Sequence, residues 1–185
     1  MESSMEESMQ DIAMSLLDIV QNSLRAKALH VYISIKDSVQ DNIISIEVKD
    51  DGIGMDETTL KKVTNPFYTT RTTRDVGLGV PLFQASVEAT GGKFLIKSTK
   101  NKGTKIVGEY IKNHIDTPPM GDLVSTMITF IQYDEHIDYV FFYQCDTFEF
   151  YLDTSEIKKI LDGVPINEPD ILVWLKEYIK KGMKA

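Results

Sequence analysis

The sequence predicts an α+β fold, with helices layered on one face of a mixed sheet and a small α-β-β-α-α extension at the C-terminal end. Three observations predict it. The first 112 residues alternate between helical and period-two apolar patterns in the order α-β-β-α-loop-α-β-β, which suits helices stacked on a sheet. Pro118-Pro119 then interrupts the chain. Beyond that point the order changes to α-β-β-α-α, so the chain divides at about 1–115 and 116–185.

Residues 4–28 read as one helix. Ser4 and Glu7 have capping-box spacing, and Ile12, Leu16, Ile19 and Ser23 recur on one apolar face. Residues 30–36 and 43–49 alternate, with Val31, Ile33 and Ile35, then Ile44, Ile46 and Val48, facing inward. Asp56 suits the N-cap of a short helix ending at Val63. Residues 64–80 break every pattern with proline, threonines, arginines and glycines. A stretch of this kind in a small domain is a functional loop or a disordered one. Pro81 suits the first turn of a helix that stops at Gly91-Gly92. Strands near 93–99 and 104–112 follow, joined at Asn101-Lys102-Gly103. In the extension the patterns give a helix over 121–132, strands over 139–144 and 147–153, and helices over 155–161 and 169–181.

A hydrophobic content of 42% over 185 residues is enough for a packed core. The net charge of −8 argues against an extended nucleic-acid footprint. The single cysteine, Cys145, has no internal disulfide partner and is expected as a small buried hydrophobe in a cytoplasmic protein. The acidic N-terminus is unlike a secretory signal, and no apolar run is long enough to span a bilayer.

The residues that stand out chemically are polar groups in apolar settings. Asp18 and Asn22 are four apart and share a helix face, with Arg25 one turn on; the alternative is a solvated stripe on an amphipathic helix. Asp50 closes an apolar strand and runs into Asp51-Gly52-Ile53-Gly54, which by itself is an ordinary turn sequence. Asn65-Pro66-Phe67-Tyr68-Thr69-Thr70-Arg71, then Gly77-Leu78-Gly79 and Gly103-Thr104, follow in order. No phosphate-binding P-loop sequence is present.

Taken together, in this order, these motifs over residues 10–112 resemble the nucleotide site of the GHKL superfamily. Its members include sensor histidine kinases, DNA gyrase, heat-shock chaperone ATPases and mismatch-repair ATPases. The resemblance implies the Bergerat-type α/β sandwich, with ATP and Mg²⁺ as ligands. It implies Asp50 as acceptor for the adenine amino group, with Thr104 supporting the same edge. Gly52 and Gly54 are expected to let the backbone approach the purine. Asn22 is implied as the Mg²⁺ ligand. Gly77, Leu78 and Gly79 match the second glycine box, where free N–H groups at a helix start receive phosphate oxygens. Arg25, Arg71 and Arg74 are candidates for the phosphates, each with a surface role as the alternative; Arg71 leads because Pro-Phe-Tyr-Thr-Thr-Arg resembles a histidine-kinase run. Tyr68 either packs near the adenine or anchors the loop in the core. Residues 65–79 are expected to act as a lid. Asp18 and Arg71 are the catalytic candidates, although Asp18 stands where the family's ATPases carry a longer glutamate.

His30, His114 and His136 lack a phosphoacceptor context, and no histidine hairpin precedes Asp11. The sequence therefore reads as a stand-alone Mg-ATP module that passes phosphate to a separate partner protein in signal transduction. The alternative is a regulatory binding module or slow ATPase whose nucleotide state controls partner binding. The aromatics of 120–185, with Phe141-Phe142-Tyr143 facing both ways, suggest a partner or homodimer surface, with a structural cap as the alternative.

Overall fold

The structure, a computed structural model, describes residues 11–64 and 78–184. Helix α1 (Ile12–Arg25) starts at Asp11, whose side chain accepts a hydrogen bond from the Met14 N–H at 2.7 Å. The expected capping pair Ser4 and Glu7 lies outside the described residues. The helix also ends earlier than the periodicity suggests. Lys27 turns left-handed at φ 58°, and the N–H groups of Lys27 and Ala28 donate back to the Leu24 and Ser23 carbonyls. This is a Schellman stop built on a lysine rather than the usual glycine, so the sequence does not signal it.

Strands β1 (His30–Ser38) and β2 (Ile43–Asp50) form an antiparallel pair, and the short helix α2 (Glu57–Val63) is capped by Asp56 as predicted. Helix α3 (Gly79–Ala89) precedes the hairpin of β3 (Lys93–Thr99) and β4 (Gly103–Ile111), and β4 pairs antiparallel with β2. The remainder forms α4 (Leu123–Tyr133), β5 (Asp138–Cys145), β6 (Glu149–Asp153), α5 (Thr154–Leu161) and α6 (Pro169–Gly182).

The C-terminal strands do not stand as an isolated hairpin. β5 lies parallel to β1, with Ile33 opposite Phe141, and completes a six-stranded sheet in the order β3-β4-β2-β1-β5-β6. The start of α1 is tied to the same region, because the Ile12 and Ala13 N–H groups donate to the carbonyls of Pro119 and Met120. One face of the sheet carries Val31, Ile33, Ile46, Val48, Tyr110 and Phe141, all buried under α1, α3, α4 and α6. The aromatics expected as exposed types therefore divide. Tyr139, Phe141 and Phe150 are core residues, whereas Tyr151 and Trp174 are exposed. Cys145 is not buried as expected; it is half-exposed at the end of β5, with Sγ 3.4 Å from the Thr147 hydroxyl. That contact lowers its thiol pKa from the ordinary value. No described helix is long and apolar enough to cross a membrane.

The helix caps give the fold an acid limit. Asp56 accepts from the Thr59 N–H, and Asp122, the N-cap of α4, accepts from the Ser125 hydroxyl and N–H. These hydrogen bonds hold both carboxyls below the usual aspartate range. A carboxyl whose pKa is lower folded than unfolded adds stability above the unfolded value of about 3.9, and loses it as pH falls through the folded value. Thermal melts should hold nearly constant from pH 7 to 5 and then fall below about pH 4. Replacing Asp56 and Asp122 with asparagine, which caps without titrating, should shallow that fall.

Candidate functional site

Asp50 is placed by two constraints: it closes β2, and its register partner on β4 is Thr104. Its side chain is 7% exposed, which for a carboxylate requires partners. They are present. One oxygen, Oδ1, accepts from the backbone N–H groups of Gly52 (2.9 Å) and Thr104 (3.2 Å). The other, Oδ2, accepts from the Ser23 hydroxyl at 2.7 Å. An ionised carboxylate has about four acceptor positions, so these three donors leave room for one more.

The remaining position belongs to a side chain that lines a cavity of about 270 Å³. That volume, bounded by described residues alone, is close to the lower end of the ~300–1,000 Å³ common for small-molecule pockets. Its walls are largely apolar, with Ile19 from α1, Met55, Val63 from α2, Val80 from α3, and Ile96 and Ile106 from the hairpin. Such a slot around a single anionic acceptor selects a flat, apolar ring that presents an N–H donor.

Of the residues singled out from sequence, Asn22, Arg25, Asp50, Gly54 and Thr104 line this cavity together. Asn22 projects from α1, and its side-chain oxygen accepts from exposed Arg25 at 3.4 Å. Arg25 makes no ion pair with a carboxylate among the described residues. Asp18 is half-buried one turn before Asn22. Gly79, the first residue of α3, packs against it so closely that a Cβ there would lie 2.7 Å from the Asp18 Cβ. The α3 start thus abuts the Asp18–Asn22 face of α1. Leu78 is the N-cap of α3 without a side-chain cap, and it is exposed. Tyr68, Arg71, Arg74 and Gly77, and with them most of the expected lid, lie outside the described residues.

Two of the glycines also have a packing role that the sequence pattern does not reveal. A Cβ on Gly52 would sit 2.7 Å from the Ala26 carbonyl oxygen, at the end of α1. Gly54 has φ +59°, and a Cβ there would run into the Thr99 carbonyl. Both glycines are required by protein backbone packed against them. The turn is held further by Ile53, whose N–H donates to Ala26 O at 2.8 Å and whose carbonyl accepts from Asn101 N–H at 2.6 Å.

Two functional side chains escaped the sequence reading. Ser23 had been assigned only to the apolar face of α1, yet its hydroxyl secures Asp50. Ser98 sits opposite Thr104 in the β3–β4 register; its hydroxyl is 2.9 Å from the Thr104 hydroxyl and also receives the Met55 N–H at 2.8 Å. Ser23 follows the singled-out Asn22 directly, which is a usable signal; Ser98 is found only through strand pairing.

A six-stranded mixed sheet with helices on one face, and a carboxylate at a strand end beside an apolar cavity, define the class of the two-layer α/β sandwiches. Residues 9–115 match the family model described as "Histidine kinase-, DNA gyrase B-, and HSP90-like ATPase", and the chain belongs to that family. It is 39% identical over 75 residues to sporulation kinase E of Bacillus subtilis, covering 40% of this chain and 10% of that protein. It is 34% identical over 105 residues to the sensor histidine kinase WalK of Bacillus subtilis, covering 52% of this chain and 17% of that protein. The matched segment is thus a small fraction of either kinase. Among solved structures, the ATPase domain of Aquifex aeolicus MutL complexed with ADP superposes with a TM-score of 0.50 at 15% identity, covering 76% of this chain and 63% of that one.

Proposed function

We propose that the chain binds Mg-ATP in the cavity beside Asp50 and passes the γ-phosphoryl group to a separate protein in a signalling pathway. The observation that carries the reading is the fourth acceptor position of Asp50, set in an apolar slot of about 270 Å³. It suits the exocyclic amino group of adenine. Guanine carries an acceptor at the equivalent ring position and would meet the carboxylate unfavourably. The hydroxyl pair of Ser98 and Thr104 offers polar contacts on the same edge. The phosphates then extend towards the start of α3, a helix N-terminus without a side-chain cap from Leu78, which favours anions, and towards Arg25. Arg71, Arg74, Tyr68 and Gly77 complete this end in the proposal, by the order of the motifs.

Asp18 and Asn22 place two hard oxygen donors on one helix face next to α3. Among the described residues no cluster of three or more His, Cys, Asp or Glu side chains suggests a metal cage. This donor set fits Mg²⁺, which keeps waters and phosphate oxygens as most of its ligands. Bound there, the ion supplies charge neutralisation at the phosphates. Asn22 would hold it through Oδ1, and Asp18 would orient a water or the acceptor group.

A second reading, a regulatory module or slow ATPase, is favoured by the shortness of Asp18 and its contact with Gly79, which limits its reach. Incubating the protein with γ-labelled ATP and cell extract separates the readings. A labelled partner protein is the expected result. Free phosphate alone would mean a slow ATPase, and neither product would mean a binding module. Absence of ATP binding by calorimetry would overturn all three.

A further inference from the structure

Helices α1, α3, α4 and α6 cover one face of the sheet; among the described residues, α5 reaches the margin of the other at Ser155 and leaves most of it open. The register lays that second face out as three rows crossing all six strands. The first row runs Lys97, Lys105, Lys49, Tyr32, Val140, Asp153 from β3 to β6. Three lysines side by side repel, and like charges directly opposite in a ladder are destabilising. Among the described residues, Lys105 alone of the three has an ion pair, with Glu47 at 2.7 Å. Acidic groups gather at the other end of the row. There Asp153 caps α5 through the Ser155 hydroxyl and the Ser155 and Glu156 N–H groups, and its Oδ2 is 3.4 Å from the Tyr151 hydroxyl. Charge is therefore segregated along this first row, while Glu47, Glu109 and Lys36 intersperse both signs in the other two.

We propose that this face pairs with the same face of a second copy, about a two-fold axis that runs along the strands between β2 and β1. That axis is the midline of the six-stranded sheet, so β3 of one copy lies over β6 of the other and β4 over β5. The rows then match themselves. In the first, Lys97 meets Asp153 of the partner subunit. In the second, half-exposed Leu95 meets Tyr151 and Val107 meets Phe142. In the third, Lys93 meets Glu149; both are exposed, and neither has an ion pair in its own chain among the described residues. Each contact occurs twice, as an isologous interface requires.

The shape agrees with the charge. A hollow of about 880 Å³ opens between Lys49 and Asp153, and it would take the Lys97 and Lys105 side chains of the facing copy. Six strands at ~4.8 Å spacing and three rows at ~6.8 Å give a footprint of roughly 600 Å² in projection, comparable with the ~800 Å² of accessible surface per partner typical of stable complexes. Face-to-face packing of two sheets with nearly aligned strands is a common arrangement. The aromatics Phe142 and Tyr151 at one end thus meet the apolar pair Leu95 and Val107 at the other. The pairing leaves the cavity beside Asp50, on the helical side, open to solvent.

The test is sedimentation equilibrium on the full chain and three variants, each checked by circular dichroism for an unchanged melt. Wild type is expected near 42 kDa, twice the 21.0 kDa of one chain. Lys93→Glu and Glu149→Lys should each weaken the dimer at least tenfold by placing like charges together. The double variant Lys93→Glu/Glu149→Lys should restore it, which no structural effect of a single change would do. A wild type that stays monomeric at about 100 μM overturns the proposal and leaves the face to a different protein. So does a dimer unaffected by both single variants, or a double variant that fails to restore pairing.

Discussion

A chain ending at Asn113 is expected to aggregate on expression, even though every nucleotide-site motif lies within it. The cut removes β5 and leaves β1 as a sheet edge. The buried apolar side chains on β1 are Val31, Ile33 and Ile35, each no more than 1% exposed in the whole chain. A long apolar edge of this kind invites pairing with other chains. The cut also removes Phe130, Met127, Tyr139 and Phe141 from the cluster that covers Ile12 and Leu16, together with the Pro119 and Met120 carbonyls that anchor the start of α1. Uncovering a large apolar side chain costs about 1.5–3 kcal/mol, so three or four of them offset most of a domain's total stability of about 5–15 kcal/mol. The soluble fraction and the melt of the truncated protein check this. A soluble, monodisperse truncation that binds nucleotide normally would show that 116–185 is dispensable for folding.

The second large effect is expected at Asp50. Asp50→Asn keeps Oδ1 for the Gly52 and Thr104 N–H groups, and its amide can still donate to the Ser23 oxygen. The fold should therefore survive, with a melt close to wild type. What changes is the fourth position, where an N–H would now face the N–H of an adenine amino group. Losing a hydrogen bond to a charged acceptor costs about 1.5–3 kcal/mol, or roughly ten- to a hundredfold in affinity. Calorimetry with a non-hydrolysable ATP analogue reads it directly. Undiminished binding by a folded Asp50→Asn variant would remove Asp50 from the site, and a collapsed melt would mean that its role is structural.

These two results bear on one question, which is how much of the protein the N-terminal motifs explain. The family match spans residues 9–115, and the cavity is lined only by residues from Ile19 to Ile106. Yet the sheet that positions Asp50 is continuous into β5 and β6. Site and scaffold are therefore divided differently along the chain. The cavity lies within the family-matched segment, and the sheet that supports it runs through both parts of the chain.

Local patterns were legible wherever local physics dominates. Alternation in 30–36 and 43–49 marked β1 and β2, and Asp56 marked the cap of α2, because strand faces and N-caps depend on near neighbours. Asp18, Asn22 and Asp50 stood out because a carboxylate or carboxamide among apolar residues needs a partner whatever the fold. The order of the elements followed from the same signals. Tertiary structure alone decided the rest. The parallel pairing of β1 with β5 joins segments about a hundred residues apart, and no hairpin signal links them. The packing of Gly52 on Ala26 and of Gly54 on Thr99 depends on distant backbone, and the local stop of α1 at a left-handed Lys27 lacks the glycine that would signal it. Ser98 became a site residue only when the register set it against Thr104. The sequence by itself determined which groups must find partners; the folded sheet decided which partners they found, because the pairing of strands far apart along the chain, as of β1 with β5, is a long-range property that no short stretch encodes.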